Sequence, residues 1–466
     1  MRGVPDLFTF LRAARDNPLA TWTEEHFRAP VVMGKGVLGR VMVLSDPEGI
    51  RHVLVDNAAN YRKDALTRRV LGSGIGDGLF TAEGQIWRQL RRTLAPLFSA
   101  RRVDAFGADM AGAAETVARR LARREGRRVD VAVEATRLTL DVLERTIFTT
   151  GLQRDPDALG RAITLFFEGI GPIDPLDVFG LPDALPRIGR LRARPAIAFF
   201  EAVVDELVRD RRALLARHGA AEGAAFAGAG APGLGGAVPS DLLTLLLTAR
   251  DPETGEALDD ASVRANIATF IAAGHETTAN ALTWSLYLIA QDEAVRARLE
   301  AEVDAAAGDA PLSPEHLPAL PYTRAVVEEA MRLYPPAPFM SREAIAEDRV
   351  LGFRLRPGTI VMIAPYIVHR HALLWDDPAA FDPERFLPPR REAIDRYAYL
   401  PFGAGPRVCI GARFALHEAM IALAAIVRRV RLDLVPGHAV EPVQRVTLRP
   451  REGMKMRVHL RRPLGG

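Results

Sequence analysis

Hydrophobic positions recur at steps of three and four residues along most of residues 85–310, which predicts a mainly helical protein. The longest helix is predicted over about 261–290, with Asp260 as its N-cap. At about 1.5 Å per residue it would extend roughly 45 Å, enough to cross a whole domain. A second helix is predicted over 322–334, where two consecutive prolines end it.

Short apolar runs between turn residues predict a minor β portion. Residues 31–44 predict two strands that turn at residues 34–36, and Asp46 followed by Pro47 opens the next helix. Two further hairpins are predicted, one turning at Pro357 and Gly358 and one turning near Gly453. The predicted fold class is therefore mainly α with a minor β portion.

Glycine and alanine dominate residues 219–240, which predicts a flexible loop between helices. A length of 466 residues would allow about three domains. However, no chemical motif is complete on either side of the loop. We therefore expect residues 1–466 to form a single catalytic domain with a surface insertion at about 219–240.

Charge and cysteine content narrow the class of protein. The formal net charge is +3, and only three of the 61 basic residues are lysines. Codon bias explains so many arginines, and we therefore expect the protein not to bind nucleic acid. An arginine-rich nucleic-acid-binding protein is the last alternative. A single cysteine excludes intrachain disulfides and multi-cysteine zinc sites, and favours the cytoplasm. Charges and prolines interrupt residues 1–22, so we expect no signal peptide and no membrane anchor.

The only cysteine, Cys409, lies in a glycine-rich loop just before an apolar helix. A helix N-terminus presents free N–H groups that lower the pKa of a thiol, and Arg407 adds positive charge or pairs with a carboxylate. A lone cysteine is by default a buried, inert residue. That interpretation leaves the glycines and the proline of the loop unexplained.

The loop pattern Phe402-x-x-Gly405-x-Arg407-x-Cys409-x-Gly411 resembles the haem-binding loop of the cytochrome P450 family. The resemblance extends from about residue 30 to the end of the chain. It implies a soluble, bacterial-type haem-thiolate monooxygenase with a triangular helical body and small sheets. Haem b would lie between the long central helix and the cysteine loop, with Cys409 as the axial iron ligand and Phe402 and Gly403 against the cofactor.

A charged network also matches the family. Glu329 and Arg332 are three residues apart on the second helix and therefore share a face. In the family, such a pair locks to an arginine in a later Pro-Glu-Arg-Phe segment, and residues 383–386 supply Arg385. The resemblance implies that these three residues form a buried structural network.

The long helix carries Ala273-Gly274-His275-Glu276-Thr277-Thr278, which resembles the family's acid–alcohol pair. Oxygen activation needs protons delivered in a controlled way, and an acid beside an alcohol is a suitable relay. The resemblance assigns Thr277 and Glu276 to catalysis, with Thr278 as the less favoured alcohol. His275 is expected to be a packing or hydrogen-bonded residue. A simple packing notch is the alternative interpretation of the small residues.

Several cationic residues match family positions that bind the haem propionates. Trp87 and Arg91 are four residues apart on one helix, and Arg342 and Arg407 match two further positions. A solvated surface role is the default for each arginine. Four more arginines near the same helix form a hypothetical docking patch for an acidic redox partner: Arg88, Arg92, Arg101 and Arg102.

By resemblance, the substrate would lie above the haem. The expected contacts are with residues 66–80, whose glycines at 72, 74, 76 and 78 suggest a mobile gate, and with Phe270, Ala273, Ala337, Phe339 and Met340. These residues are mostly apolar, so we expect a hydrophobic small molecule. Fatty acid, terpenoid, steroid and aromatic substrates all remain open.

The leading hypothesis is a monooxygenase that hydroxylates or epoxidises its substrate with O2. Because no flavin or iron–sulfur segment is visible, we expect electrons from NAD(P)H through a separate ferredoxin or flavodoxin and its reductase. We also expect the enzyme to be a monomer. The alternatives are a peroxide-using or non-oxygenating enzyme of the same fold, and a non-catalytic haem-binding sensor.

Overall fold

The computed structural model describes residues 12–13, 15–36, 39–69, 76–148, 188–218, 238–239, 241–308 and 312–461. The predicted loop at 219–240 lies almost wholly outside these residues. Helices dominate the described part of the chain, so the predicted fold class is confirmed. They are α1 (Pro47–Arg51), α2 (Gly84–Leu94), α3 (Ala100–Ala105), α4 (Gly107–Ala122), α5 (Val131–Leu143), α6 (Ile188–Arg217), α7 (Leu242–Thr248), α8 (Asp260–Ile289), α9 (Glu293–Ala307), α10 (Pro321–Leu333), α11 (Pro365–Val368) and α12 (Ala412–Arg429).

Four small sheets accompany the helices. The largest has the strand order β1-β2-β8-β5-β3, and the others are β4-β12-β9, β10-β11 and β6-β7. The strands are β1 (Val31–Gly36), β2 (Gly39–Leu44), β3 (Tyr61–Arg62), β4 (Arg128–Asp130), β5 (Met340–Ala344), β6 (Asp348–Val350), β7 (Phe353–Leu355), β8 (Ile360–Ile363), β9 (Val430–Leu434), β10 (Pro442–Gln444), β11 (Leu448–Pro450) and β12 (Lys455–Leu460).

The long helix α8 forms the centre of the core, since it is buried on nearly all sides along its second half. It packs against α5, α10 and α12, and α12 packs in turn against α4. Trp284 of α8 is fully buried, stacks on Tyr334 at 4.0 Å between ring centres, and donates its Nε1–H to the Leu448 carbonyl at 3.1 Å. The β10-β11 hairpin is thereby held against α8. Among the described residues, no helix is both long enough and apolar enough to cross a bilayer.

The predicted hairpin at Pro357 and Gly358 is wrong. Strand β7 pairs with β6 through a turn at Leu351 and Gly352, whose φ angles are 50° and 82°. Strand β8 lies instead between β2, in parallel, and β5, antiparallel. The reason is burial: β8 is an almost entirely buried apolar strand, which requires a sheet neighbour on both edges.

The predicted hairpin near Gly453 is also wrong, although the chain does turn there. Strand β11 pairs with β10, whereas β12 lies between β4 and β9. The Asp130 carboxylate at the end of β4 accepts hydrogen bonds from the Met454 N–H at 2.9 Å and the Lys455 Nζ at 2.6 Å. These bonds attach the start of β12 to β4 rather than to the preceding strand.

Two predicted boundaries shift by one or two residues. The N-cap of α8 is Asp259, whose carboxylate accepts from the Ser262 N–H at 2.7 Å, so the prediction of Asp260 is wrong. The first hairpin pairs as predicted, but β1 continues through Gly36, which pairs with Gly39. Residues 34–36 therefore belong to β1, and the predicted position of the turn is wrong. Asp46 caps α1, as predicted.

Candidate active site

A cavity of about 2180 Å³ lies between α8, β5, α2 and the cysteine loop, residues 401–411. It brings together side chains that are remote in the sequence, such as Trp87 and Cys409, which are 322 positions apart. Gly72 and Gly74 of the predicted gate lie outside the described residues. The predicted site residues that line the cavity are Trp87, Arg91, Phe270, Ala273, Thr277, Ala337, Phe339, Met340, Arg342, Phe402, Gly403, Arg407 and Cys409.

Glycines shape the cysteine loop. Gly403 and Gly405 have φ angles of 71° and 70°, in the left-handed region that favours glycine. A Cβ at Gly405 would overlap the Leu54 carbonyl oxygen, so this position also needs the close backbone approach that only glycine allows. The Cys409 N–H donates to the Phe402 carbonyl at 2.9 Å and closes the loop before α12 begins. The loop thus presents a fixed cysteine to the cavity.

The Cys409 thiol is exposed toward the cavity, yet the surrounding protein raises its pKa. Burial is the largest cause, and the Gly411 N–H and the charge of Arg91 act in the opposite direction. We expected the helix terminus and Arg407 to lower the pKa. This expectation is wrong for the protein alone, because the net effect is a raised pKa. The cation that acts on the thiol is Arg91 and not Arg407. Arg91 also donates to the Val408 carbonyl at 2.9 Å, which steadies the loop.

A cluster of cations lies beside the loop. The Arg407 guanidinium stacks 4.2 Å from the centre of the Trp87 ring and pairs with Glu83, the carboxylate that the sequence left unidentified. Burial and the neighbouring Arg407 lower the pKa of Arg342 to about 10. Lys63, which sequence reasoning missed, joins this cluster, and burial with the charge of Arg407 lowers its pKa to about 7. Cations held together against repulsion in this way suit a dianionic ligand.

The acid and the alcohol of α8 point in different directions. Thr277 lines the cavity, and its hydroxyl donates to the Ala273 carbonyl at 2.7 Å. Glu276 does not line the cavity and lies 3.8 Å from Arg449 of β11. Successive positions on a helix are turned by about 100°, so neighbours in sequence face different surroundings. His275 is buried, with its Nδ1 3.2 Å from the Ile271 carbonyl oxygen.

A second carboxyl group near the cavity escaped sequence reasoning. Glu418 of α12 is 2% exposed, hydrogen-bonds with Thr278 of α8, and has a pKa raised well above its ordinary value by burial. Thr278 itself lines the cavity. The signal was present in the sequence, because Glu418 is the only acid in the apolar run at 414–427.

The charged network lies where the resemblance places it. Glu329 and Arg332 are both fully buried and form two contacts, at 2.6 and 2.8 Å, and Arg385 lies 3.6 Å from Glu329. Arg332 also donates to the His369 carbonyl at 2.8 Å. The His369 ring, whose pKa burial lowers to about 3, accepts from the Leu400 N–H at 2.8 Å. The network is thereby connected to the start of the cysteine loop.

The predicted basic patch is partly neutralised. Arg92 forms ion pairs with Asp251 and Glu253. Arg102 is half-buried, whereas Arg88 and Arg101 are exposed. Two of the four arginines therefore keep the exposure that a docking surface would require.

Comparison with known proteins identifies the family of the chain. The cytochrome P450 family profile matches residues 13–458. A cyclooctat-9-en-7-ol 5-monooxygenase from Streptomyces melanosporofaciens is 34% identical over 85% of this chain and 81% of its own length. A pentalenene oxygenase from Streptomyces avermitilis is 29% identical over 90% of this chain and 87% of its own length. The crystal structure of the cytochrome P450DA haem domain superposes with a TM-score of 0.78 at 29% identity, covering 91% of this chain and 88% of that one.

The chain belongs to the cytochrome P450 family, and it is a haem-dependent monooxygenase. Its reaction uses O2, an organic substrate and redox partners, as the family implies. Neither the non-oxygenating alternative nor the sensor is favoured, because the relatives that match nearly the whole chain are oxygenases.

Proposed function

We propose that the cavity holds haem b with Cys409 as the axial iron ligand. The observation that carries this assignment is that the Cys409 thiol and the cation cluster line one cavity. The two propionates would be held by Trp87, Arg91, Arg342 and Arg407, joined by Lys63, and the ring would lie against Phe402 and Gly403. Thiolate-ligated haem supplies O2 activation, in which one oxygen atom enters the substrate and the other leaves as water.

We propose that Thr277 and Glu276 deliver protons for this reaction. The Thr277 hydroxyl is the acid–alcohol member that reaches the cavity, and its bond to the Ala273 carbonyl fixes where its oxygen lies. Glu276 does not line the cavity and lies near Arg449 of β11. It would pass protons from outside the cavity to the Thr277 hydroxyl, while its own carboxylate makes no contact with the substrate.

We propose that the substrate is a cyclic, apolar hydrocarbon skeleton of terpenoid type. The lining side chains Phe270, Ala273, Ala337, Phe339 and Met340 are all apolar. Two relatives are named for an alkenol and an alkene, cyclooctat-9-en-7-ol and pentalenene. An apolar pocket of this kind binds by shape and burial rather than by charge.

We propose further that electrons come from NAD(P)H through a separate ferredoxin or flavodoxin and its reductase, which would dock near the exposed Arg88 and Arg101. We also propose that the enzyme is cytoplasmic, bacterial and monomeric. It would form a single catalytic domain and bind no nucleic acid. The content of one cysteine and the arginine-rich composition support it.

The assignment of Cys409 is tested by the spectrum of the reduced protein under carbon monoxide. We expect the red-shifted Soret band of thiolate-ligated haem in the wild type and its loss in Cys409→His, which replaces the thiolate with an imidazole. Thr283→Val is the control, because its hydroxyl bonds only within α8, to the Ala279 carbonyl. A wild type without the red-shifted band, or a Cys409→His variant that keeps it, would contradict the assignment.

A further inference from the structure

One stretch of the cavity wall lies unusually close to α8. This wall segment, residues 76–82, packs so tightly that a Cβ at Gly78 would overlap the Thr269 hydroxyl and lie 2.7 Å from the Ala265 carbonyl oxygen. Thr81 closes the segment into a turn by donating to the Gly78 carbonyl at 3.2 Å. The backbone of the wall therefore rests directly on the helix, with no side chain between them.

A single buried side chain fastens the wall segment to the helix. Asn266 of α8 is 0% exposed, and its Oδ1 accepts the Leu79 N–H at 2.8 Å. Its Nδ2 donates to the Ser262 carbonyl at 2.7 Å, so both ends of the amide are fixed and its oxygen must face the wall. Asparagine is unfavourable inside a helix, and a burial this complete needs a compensating contact.

The far end of the same segment reaches the cation cluster. The Ala82 carbonyl accepts from Arg407 at 3.2 Å, and the Phe80 carbonyl accepts from the Lys63 ammonium. Leu79 and Phe80 of the same segment line the cavity. The position of both side chains is thus set by the Asn266 bond at one end and by the cations at the other.

We propose that the Asn266–Leu79 hydrogen bond is a latch that holds the cavity wall in register, which makes Asn266 a positioning residue for large ligands. This inference rests on the proposed function of the cavity as the haem and substrate site. Asn266 is absent from the residues that line the cavity, so it acts through Leu79 and Phe80 and not by touching the ligand. A ligand small enough to stay at the iron should not sense the latch.

The test compares two haem-binding probes in the holoenzyme. Clotrimazole is bulky enough to fill the cavity, whereas imidazole reaches the iron alone. In Asn266→Leu, which matches the volume but cannot accept the bond, we expect clotrimazole to bind about fivefold more weakly because the wall is no longer preorganised. Imidazole affinity should stay unchanged. Thr283→Val, a buried hydroxyl deletion on the same helix, should change neither.

A second readout does not depend on haem. Hydrogen exchange of a peptide covering residues 76–82 should be faster in Asn266→Leu and unchanged in Thr283→Val. If Asn266→Leu fails to fold, Gly78→Ala is the second variant, because its added Cβ would push the wall segment away from α8. It should likewise weaken clotrimazole binding and speed hydrogen exchange of the segment. Unchanged exchange in the folded variant, or faster exchange with unchanged clotrimazole affinity, would overturn the latch. A wild type without the carbon monoxide band would instead count against the proposed function, since the exchange result does not involve haem.

Discussion

The two sides of the cavity are built in different ways. The cysteine loop is encoded within the eleven consecutive residues 401–411, where two left-handed glycines and the Cys409–Phe402 hydrogen bond set its path. The α8 side is assembled from distant segments, since Asn266 contacts Leu79 and Glu276 lies near Arg449. A local motif can be identified from sequence, whereas contacts between remote segments emerge only from the fold.

The largest expected effect shows how far the local loop depends on remote support. Arg332→Ala leaves the buried Glu329 carboxylate without its main partner and removes the donor to the His369 carbonyl. We expect the free energy of unfolding to fall by about 3–5 kcal/mol, measured by denaturant titration. Arg354→Ala, which breaks the exposed pair with Glu347, is the control and should cost far less stability, because water screens an exposed pair. Equal losses in the two variants would contradict a buried scaffold.

Gly405→Ala tests the local encoding itself. A Cβ would overlap the Leu54 carbonyl oxygen while the backbone is held at a φ of 70°. We expect a loss of about 1–3 kcal/mol in stability and a faster release of haem to apomyoglobin, because the loop must shift. Gly437→Ala has a similar φ of 78° with no atom nearby, so it separates backbone strain from the close approach. If both variants release haem equally fast, the contact with Leu54 has no special part in shaping the loop.

On the α8 side, Thr277→Ala should alter chemistry more than stability. The hydroxyl bonds only to its own helix, so its removal should cost little folding free energy. We expect the yield of product per NAD(P)H consumed to fall about tenfold, or about 1.4 kcal/mol, with the electrons appearing as hydrogen peroxide. Thr283 makes the same kind of bond about 1.7 turns further along α8, and Thr283→Val, which removes it, should keep the wild-type yield. An unchanged yield in Thr277→Ala would remove this residue from proton delivery.

The same contrast explains which features could be predicted from sequence. The long helix follows from the spacing of its apolar residues, whereas the Cys409 loop and the Glu329–Arg332 pair match family motifs that lie within a short stretch of the chain. The two wrong predictions paired strands that follow each other in the sequence. Strands β8 and β12 pair instead with strands that are remote in the sequence, because each needs a neighbouring strand on both of its edges. Lys63 and Asn266 were missed for a similar reason, since their roles depend on partners that only tertiary packing supplies.

The smallest expected effect concerns Glu418, where the two sides meet at Thr278. Burial raises the pKa of Glu418 well above its ordinary value of 4.5, so the folded protein holds this proton more tightly than the unfolded chain does. The stability linked to Glu418 is therefore complete below pH 4.5 and declines as the pH rises toward the raised pKa. Glu418→Gln has no proton to lose. We expect its melting temperature to exceed that of the wild type by a margin that grows from pH 5 to pH 8.

The control is Glu315→Gln, because it makes the same substitution at an exposed glutamate, where it should change the melting temperature much less. A constant difference for Glu418→Gln would mean that the carboxyl keeps the same proton affinity in the folded and unfolded chains. A difference that grows with pH would establish a neutral carboxyl at neutral pH, one hydroxyl away from the cavity. The Glu418 carboxyl group, between α8 and α12, would then hold a proton that neither the Cys409 loop motif nor the acid–alcohol motif of α8 indicates.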